Sequence, residues 1–380
     1  MRDIKFDPNE FMKGKKRKPT VCFPIDMPRG EAILYGYYIE ESNTYNIVGI
    51  NQIPEGMGGV APVDLGRFFP NKPEELHTGM LNGYYEGDDV VFVDPSGTTC
   101  LLKPVQFKMD IFSRNTGLLE SDIMLNKGVI IVGCGSVGSL VALELARAGV
   151  GRFFLIDNDV MEYHNICRHQ CGVQDVGKFK TTAVKERILQ INPSAQVFTE
   201  HKKIQEIPFD VITPFCNSNT IMVGCADNRA GDLYADSMLA KPYKMPFVSI
   251  GCWERAFAGE IFYCLPEGMP AYSDFVAAMG DISAAVTANI HYEGEVGSFE
   301  PGISVDINFV TTIAVKIILD LLNRDNENYT QRLINHLSQY TLVCNTNSPK
   351  IGGENAEIFS YPLQVTTSIQ VAYADETNAL

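Results

Sequence analysis

Val129-Ile-Ile-Val-Gly-Cys-Gly-Ser-Val-Gly138 is the stretch on which the fold turns. Val129 to Val132 is a short apolar run of the kind that forms a buried strand, and Ser136 to Ala148 carries helical periodicity. Between them, Gly133, Gly135 and Gly138 sit at the spacing that permits a tight turn and close backbone approach to an anion at a helix N-terminus. Phe153-Phe-Leu-Ile156 is the next strand, and Asp157 follows it, 19 residues after Gly138. An acidic side chain at that distance reaches ribose hydroxyls. Strand, turn, helix, strand and acid are in register, so a nucleotide site is expected.

Outward from this βαβ unit the pattern continues. Lys180 to Asn192 reads as a helix closed by Pro193; Ile221–Cys225, Phe247–Ile250 and Ala258–Leu265 read as strands; and Ser304 to Leu322 is a strongly apolar helix. Tyr340 to Val371 alternates like a hairpin or strand pair. Strands alternating with helices predict an α/β, doubly wound, Rossmann-like domain, here with a mixed sheet. Before about residue 112 the texture differs. Ala32–Ile39, Tyr45–Ile50, Val90–Val93 and Thr99–Leu102 are short β-favouring runs, punctuated by the turn chemistry of Glu55–Gly59 and Asp94–Gly97. The expected organisation is a small β-rich domain over 1–111, with a role in substrate recognition suggested by position, and the nucleotide-binding domain over 112–380.

The bulk composition narrows the function classes. A net charge of −15 argues against nucleic acid as partner, because phosphate neutralisation needs clustered cations. The basic run Lys13–Lys18 lies near the terminus and reads as a solvated arm or a contact for an anionic partner. No apolar run approaches the roughly 18 residues of a membrane span, and the charged start lacks a signal-peptide core, so a cytoplasmic location is expected. Ten cysteines are scattered without any CxxC, which disfavours a disulfide framework or a four-thiolate zinc site.

A nicotinamide dehydrogenase would share the βαβ unit, but here further cations follow it: Arg168, Lys178 and Lys180. Such a cluster suits three phosphates and a metal better than one pyrophosphate. The blocks Asp157-Asn-Asp-Val-Met-Glu-Tyr-His-Asn165-Ile-Cys-Arg168, Val176-Gly-Lys-Phe-Lys180 and Gly224-Cys-Ala-Asp227-Asn228-Arg229 closely resemble the ThiF/MoeB/ubiquitin-activating adenylyltransferase family. So do Gly149–Gly151 and Ile191-Asn-Pro193; the likeness covers roughly residues 112 to 265 and, more loosely, the helix at 304–322.

The resemblance implies an ATP-dependent adenylation of a C-terminal carboxylate. It implies that Gly133, Gly135, Ser136 and Gly138 cradle phosphates, that Asp157 holds the ribose beside Asp159, and that Asn165, Arg168 and Asn228 line the nucleotide. Lys180 would stabilise the transferring phosphoryl group, and Asp227 would hold Mg²⁺. Arg114 would reach the ATP site of a partner subunit, implying a homodimer; the alternative reading of this arginine is a surface salt bridge. Asp227 also suits a cap for a helix beginning at Asn228. His164 and His169 read as hydrogen-bonding neighbours rather than metal ligands. The substrate class implied is a small ubiquitin-like or sulfur-carrier protein ending in glycine. A precursor peptide, as in microcin-type adenylases, is the alternative within the class, and a tRNA-modifying dehydratase relative suits the acidic chain less well. A non-catalytic scaffold and an NAD-dependent oxidoreductase stand outside that class.

Two departures from the family matter. Many relatives carry two CxxC pairs for a structural zinc; this chain has Pro270-Ala-Tyr-Ser-Asp274 at the first place, so no zinc is expected. Relatives that form a thioester carry a cysteine in or near the crossover loop, but Pro266 to Gly302 contains none. Cys171, Cys252 and Cys264 are the remaining weak candidates, so thioester or sulfur transfer after the adenylate is left open. The single histidine before residue 160, His77, also leaves no His-x-His pair for a metalloprotease in the N-terminal region.

Overall fold

The computed structural model describes residues 17–54, 61–106, 110–226, 228–278, 301–371 and 373. The expected Glu55–Gly59 turn, most of the Lys13–Lys18 run, Asp227 and residues 279–300 of the cysteine-free segment Pro266 to Gly302 lie outside these residues. The chain divides into two compact units, Met1–Ser113 and Arg114–Leu380.

The first unit is built on seven strands: β1 (Thr20–Pro24), β2 (Ala32–Ile39), β3 (Thr44–Ile50), β4 (Val63–Phe69), β5 (Leu81–Glu86), β6 (Asp89–Val93) and β7 (Leu101–Val105). Their order is β6-β5-β4-β2-β3-β1-β7. β1, β4 and β5 were not legible from patterning, since β4 interrupts its apolar residues with Asp64 and Gly66. The expected strand over Thr99–Leu102 starts only at Leu101, because Thr99 is spent on an isolated bridge to Val93. Val21, Leu34, Ile47, Phe68, Leu81 and Phe92 form the core.

The second unit holds an eight-stranded sheet: β8 (Gly128–Val132), β9 (Arg152–Ile156), β10 (Gln196–Glu200), β11 (Thr220–Gly224), β12 (Phe247–Cys252), β13 (Ala258–Cys264), β14 (Tyr340–Cys344) and β15 (Val365–Ile369). The order β10-β9-β8-β11-β12-β13-β14-β15 starts in the middle, winds outward through β9 and β10, and resumes on the other side of β8 at β11. β8 to β12 pair in parallel, and β13, β14 and β15 extend them antiparallel. The α/β doubly wound fold with a mixed sheet is therefore present. The tail is a strand pair rather than a tight hairpin, since β14 and β15 are separated by the helical segments Pro349–Gly352 and Gly353–Ile358.

Alternation along the strands decides which core each residue enters. Val129 and Ile131 of β8 join Phe153, Leu155, Ile221 and Val223 on one face. Ile130 and Val132 join Phe154, Ile156, Met222 and Phe247 on the other. A strand buried on both faces needs an unbroken apolar run, which is why GVIIV reads as it does. The first face is covered by helices α1 (Ser136–Arg147), α2 (Lys180–Ile191) and, after the shorter α3 (Arg229–Tyr234) and α4 (Tyr272–Ala278), by α5 (Ser304–Leu322). Ile307, Val310, Ala314, Ile318 and Leu321 make the buried stripe of α5. Val310 presses on β13 at Gly259, where an added Cβ would lie 2.6 Å from the valine methyl. No described helix is long and apolar enough to cross a membrane.

Candidate functional site

Where the winding direction reverses, the chain segments leaving β8 and β11 diverge, and open sheets bind ligands at the carboxyl ends of such strands. Here a cavity of ≈ 380 Å³ opens beyond Val132, Ile156 and the Cys225–Ala226 segment that follows β11.

The glycine-rich turn forms its floor. Gly133 has φ +90, and its N–H donates to the Ile156 carbonyl at 2.8 Å. A Cβ there would meet the Cys225 and Ala226 backbone at 2.8 Å. Gly138 does not line the cavity; it lets α1 come down onto the turn, for a Cβ would fall on the Gly133 carbonyl oxygen. Gly135 is different, because a Cβ there meets nothing within 4 Å. Gly135 and Ser136, at the N-cap and first position of α1, line the cavity and present the unsatisfied end of the helix to it.

Asp157 braces this turn. Its Oδ2 accepts the Cys134 N–H at 2.6 Å and its Oδ1 the Asp159 N–H at 2.8 Å. Burial pushes its pKa up, while Lys180 and the two backbone donors pull the other way. Lys180, buried at the start of α2, donates from Nζ to Asp159 Oδ2 at 2.9 Å, so Asp159 serves as its counter-ion at the cavity wall. Asn165 and Arg168 also line the cavity, and the Asn165 Oδ1 accepts the Glu162 N–H at 2.9 Å to hold the short helical turn Tyr163–Asn165. Asn228 lines the cavity as well.

Several expectations are corrected or extended by this geometry. Asn228, not Asp227, caps α3: its Oδ1 accepts the Gly231 N–H at 2.7 Å, and the helix begins at Arg229. Asp227 itself lies outside the described residues. Lys178 turns from the cavity to Asp175 and Glu186, at 3.0 and 2.6 Å. Arg114 is exposed and does not line its own chain's cavity. Burial pushes the Cys171 thiol up to about 12 and the Cys264 thiol further, so neither is a ready thiolate; Cys252 is half-buried. Among the described residues, no three His, Cys, Asp or Glu side chains gather as metal ligands.

Lys202, Lys203 and Gln205 also line the cavity and were missed. They follow β10, which pairs in parallel with β9 and so ends at the same edge of the sheet. The signal was a Lys-Lys pair just after a strand, and it was unreadable because β10 itself, Gln-Val-Phe-Thr-Glu, has one buried apolar residue and so lacks the apolar run of a buried strand. With Arg168 and Lys180 they put four cations around one cavity in a chain of net charge −15. Such local inversion of charge focuses a polyanion into the cleft.

This donor set fits a nucleoside triphosphate. Residues 110–354, well over half of the chain, match the ThiF family. Ubiquitin-like modifier-activating enzyme 5 of Caenorhabditis briggsae is 29% identical over 149 residues, covering 37% of this chain and 34% of that protein. The adenylyltransferase and sulfurtransferase UBA4 of Scheffersomyces stipitis is 28% identical over 134 residues, covering 34% of this chain and 29% of that protein. The alignments thus span about a third of the length of these curated relatives. A crystal structure of E. coli MccB with ATP superposes at a TM-score of 0.50 and 19% identity, covering 71% of this chain and 74% of that one, a likeness of fold.

Proposed function

The chain belongs to the ThiF family, and we propose that it uses ATP to adenylate the C-terminal carboxylate of a small ubiquitin-like or sulfur-carrier protein, releasing pyrophosphate. The observation that carries this reading is the convergence of the glycine turn, the half-buried Asp157 and four cations on one cavity.

The chemistry asked of the residues is positioning and charge neutralisation. A carboxylate oxygen of the acceptor forms a bond to the α-phosphorus, and the bond from that phosphorus to the bridging oxygen breaks, its electron pair leaving with pyrophosphate. No proton needs to move, because a C-terminal carboxylate is ionised at neutral pH. Lys180 and Arg168 face the charge that builds on the phosphates. Gly135, Ser136 and the helix end supply neutral donors, and Asp157 keeps the turn in shape. Asp227 would hold magnesium, which when bound would neutralise phosphate charge. The N-terminal β-rich unit would serve to recognise the carrier.

ATP–pyrophosphate exchange tests the reading. Exchange that depends on a Gly-ending carrier is expected. Exchange dependent on a short precursor peptide would move the substrate class to the microcin-type alternative, and a folded protein without exchange for any carboxylate partner would make the chain a scaffold.

Arg114 carries the proposed homodimer. Arg114→Ala and Lys180→Ala proteins are each expected to be inactive, while their mixture regains activity. In a mixed dimer one of the two sites has both an intact Lys180 and Arg114 of the partner subunit. No recovery on mixing, with dimers present by light scattering, would put Arg114 outside the site.

A further inference from the structure

The Cys134–Gly135 peptide lies at the centre of the glycine turn and is held on both sides. Its preceding N–H, that of Cys134, donates to Asp157 Oδ2 at 2.6 Å. The Cys134 carbonyl oxygen lies 2.7 Å from His169 Nε2. His169 is buried, and its Nδ1 accepts the Cys171 N–H at 3.1 Å. A neutral imidazole has one donor and one acceptor nitrogen. With Nδ1 accepting, the proton sits on Nε2 and is donated to Cys134. Burial lowers the pKa of His169, in keeping with a neutral ring that takes no part as an acid.

The consequence follows from peptide geometry. In a planar trans peptide the C=O and the next N–H point in opposite directions. Drawing the Cys134 carbonyl onto His169 therefore turns the Gly135 N–H the other way. Gly135 lines the cavity, and the space beside it is open.

We infer that His169 is a positioning residue, which aims the Gly135 N–H at a nucleotide phosphate by clamping the carbonyl behind it. The inference rests on the reading of the cavity as an ATP site and is independent of the acyl acceptor. His169 stands directly after Arg168 and both line the cavity, so one short segment supplies a phosphate-facing cation and the brace of the turn.

The test is equilibrium binding of ATP and of adenosine to the full chain by titration calorimetry. His169→Ala is expected to weaken ATP about tenfold or more, the cost of misaligning a hydrogen bond to a charged group, and to leave adenosine within about twofold. His169→Gln keeps an amide donor for the Cys134 carbonyl and an acceptor for the Cys171 N–H, and is expected to recover most of the ATP affinity. Should His169→Ala fail to fold, His169→Asn serves. Its shorter amide meets the Cys171 N–H without spanning to Cys134, and the same selective loss is expected. Equal weakening of ATP and adenosine, or unchanged ATP affinity, overturns the inference. A wild-type chain that binds no ATP overturns it together with the adenylation reading. Selective loss in His169→Ala alongside a wild type without exchange removes only the latter.

Discussion

Lys180→Ala is expected to lower ATP–pyrophosphate exchange by about a hundredfold or more, the effect of deleting one preorganised charge from a phosphoryl-transfer site. Lys180 is a buried cation on the first turn of α2, held at 2.9 Å from Asp159 and opposing the burial of Asp157. Its backbone N–H also bonds the Asp159 carbonyl at 2.9 Å, so the main chain keeps its place when the side chain is removed. The loss should therefore be one of charge.

A second signature follows from pH. Burial raises the folded-state pKa of Asp157 above its unfolded value, and the Lys180 ammonium restrains that rise more than any other group nearby. A group so shifted contributes stability below its unfolded pKa, which is lost as pH rises through the folded one. Without Lys180 the folded pKa climbs further. The melting-temperature deficit of Lys180→Ala should accordingly be largest at neutral pH and shrink as pH falls into the carboxylate range. A deficit independent of pH, or near-normal exchange, would take Lys180 out of its proposed role.

The second large effect separates two glycines three residues apart. Gly135→Ala is expected to fold with an almost unchanged melting temperature, because its new methyl meets no protein atom within 4 Å. It is expected to lose ATP affinity by roughly tenfold or more, since the methyl stands in the space where a phosphate would accept its N–H. Gly138→Ala should behave in the opposite way. Its methyl would collide with the Gly133 carbonyl oxygen, a backbone atom that cannot swing aside. We expect a stability loss of about 3 kcal/mol or more, with nucleotide affinity falling only as folded protein is lost. Chemical denaturation and nucleotide titration on both variants check this, and similar behaviour of the two would refute the division of labour.

The same two glycines illustrate how far the sequence could be read. Both belong to one motif, and as letters they are equivalent. The distinction between a glycine that admits a helix and a glycine that admits a ligand depends on what each faces, which is a matter of packing. Lys178 and Lys180 pose the same problem, separated by one residue and both plausible for phosphate. Lys178 is drawn to Asp175 and Glu186, while Lys180 enters the cavity wall.

What the sequence determined by itself was local and contiguous: the β8–α1–β9 unit, the acid at Asp157, the apolar stripe of α5, and the change of texture between the two units. These follow from backbone propensity, side-chain period and turn chemistry, all settled within a dozen residues. Only the tertiary structure decided which cations share a cavity and which residue braces the turn. Lys202 and Lys203 come from a strand end brought beside Asp157 by the parallel pairing of β9 and β10. His169 reaches Cys134 from 35 residues away. Contacts of that kind depend on sheet order and on the close approach allowed at Gly133 and Gly138, and no stretch of residues read in line contains them.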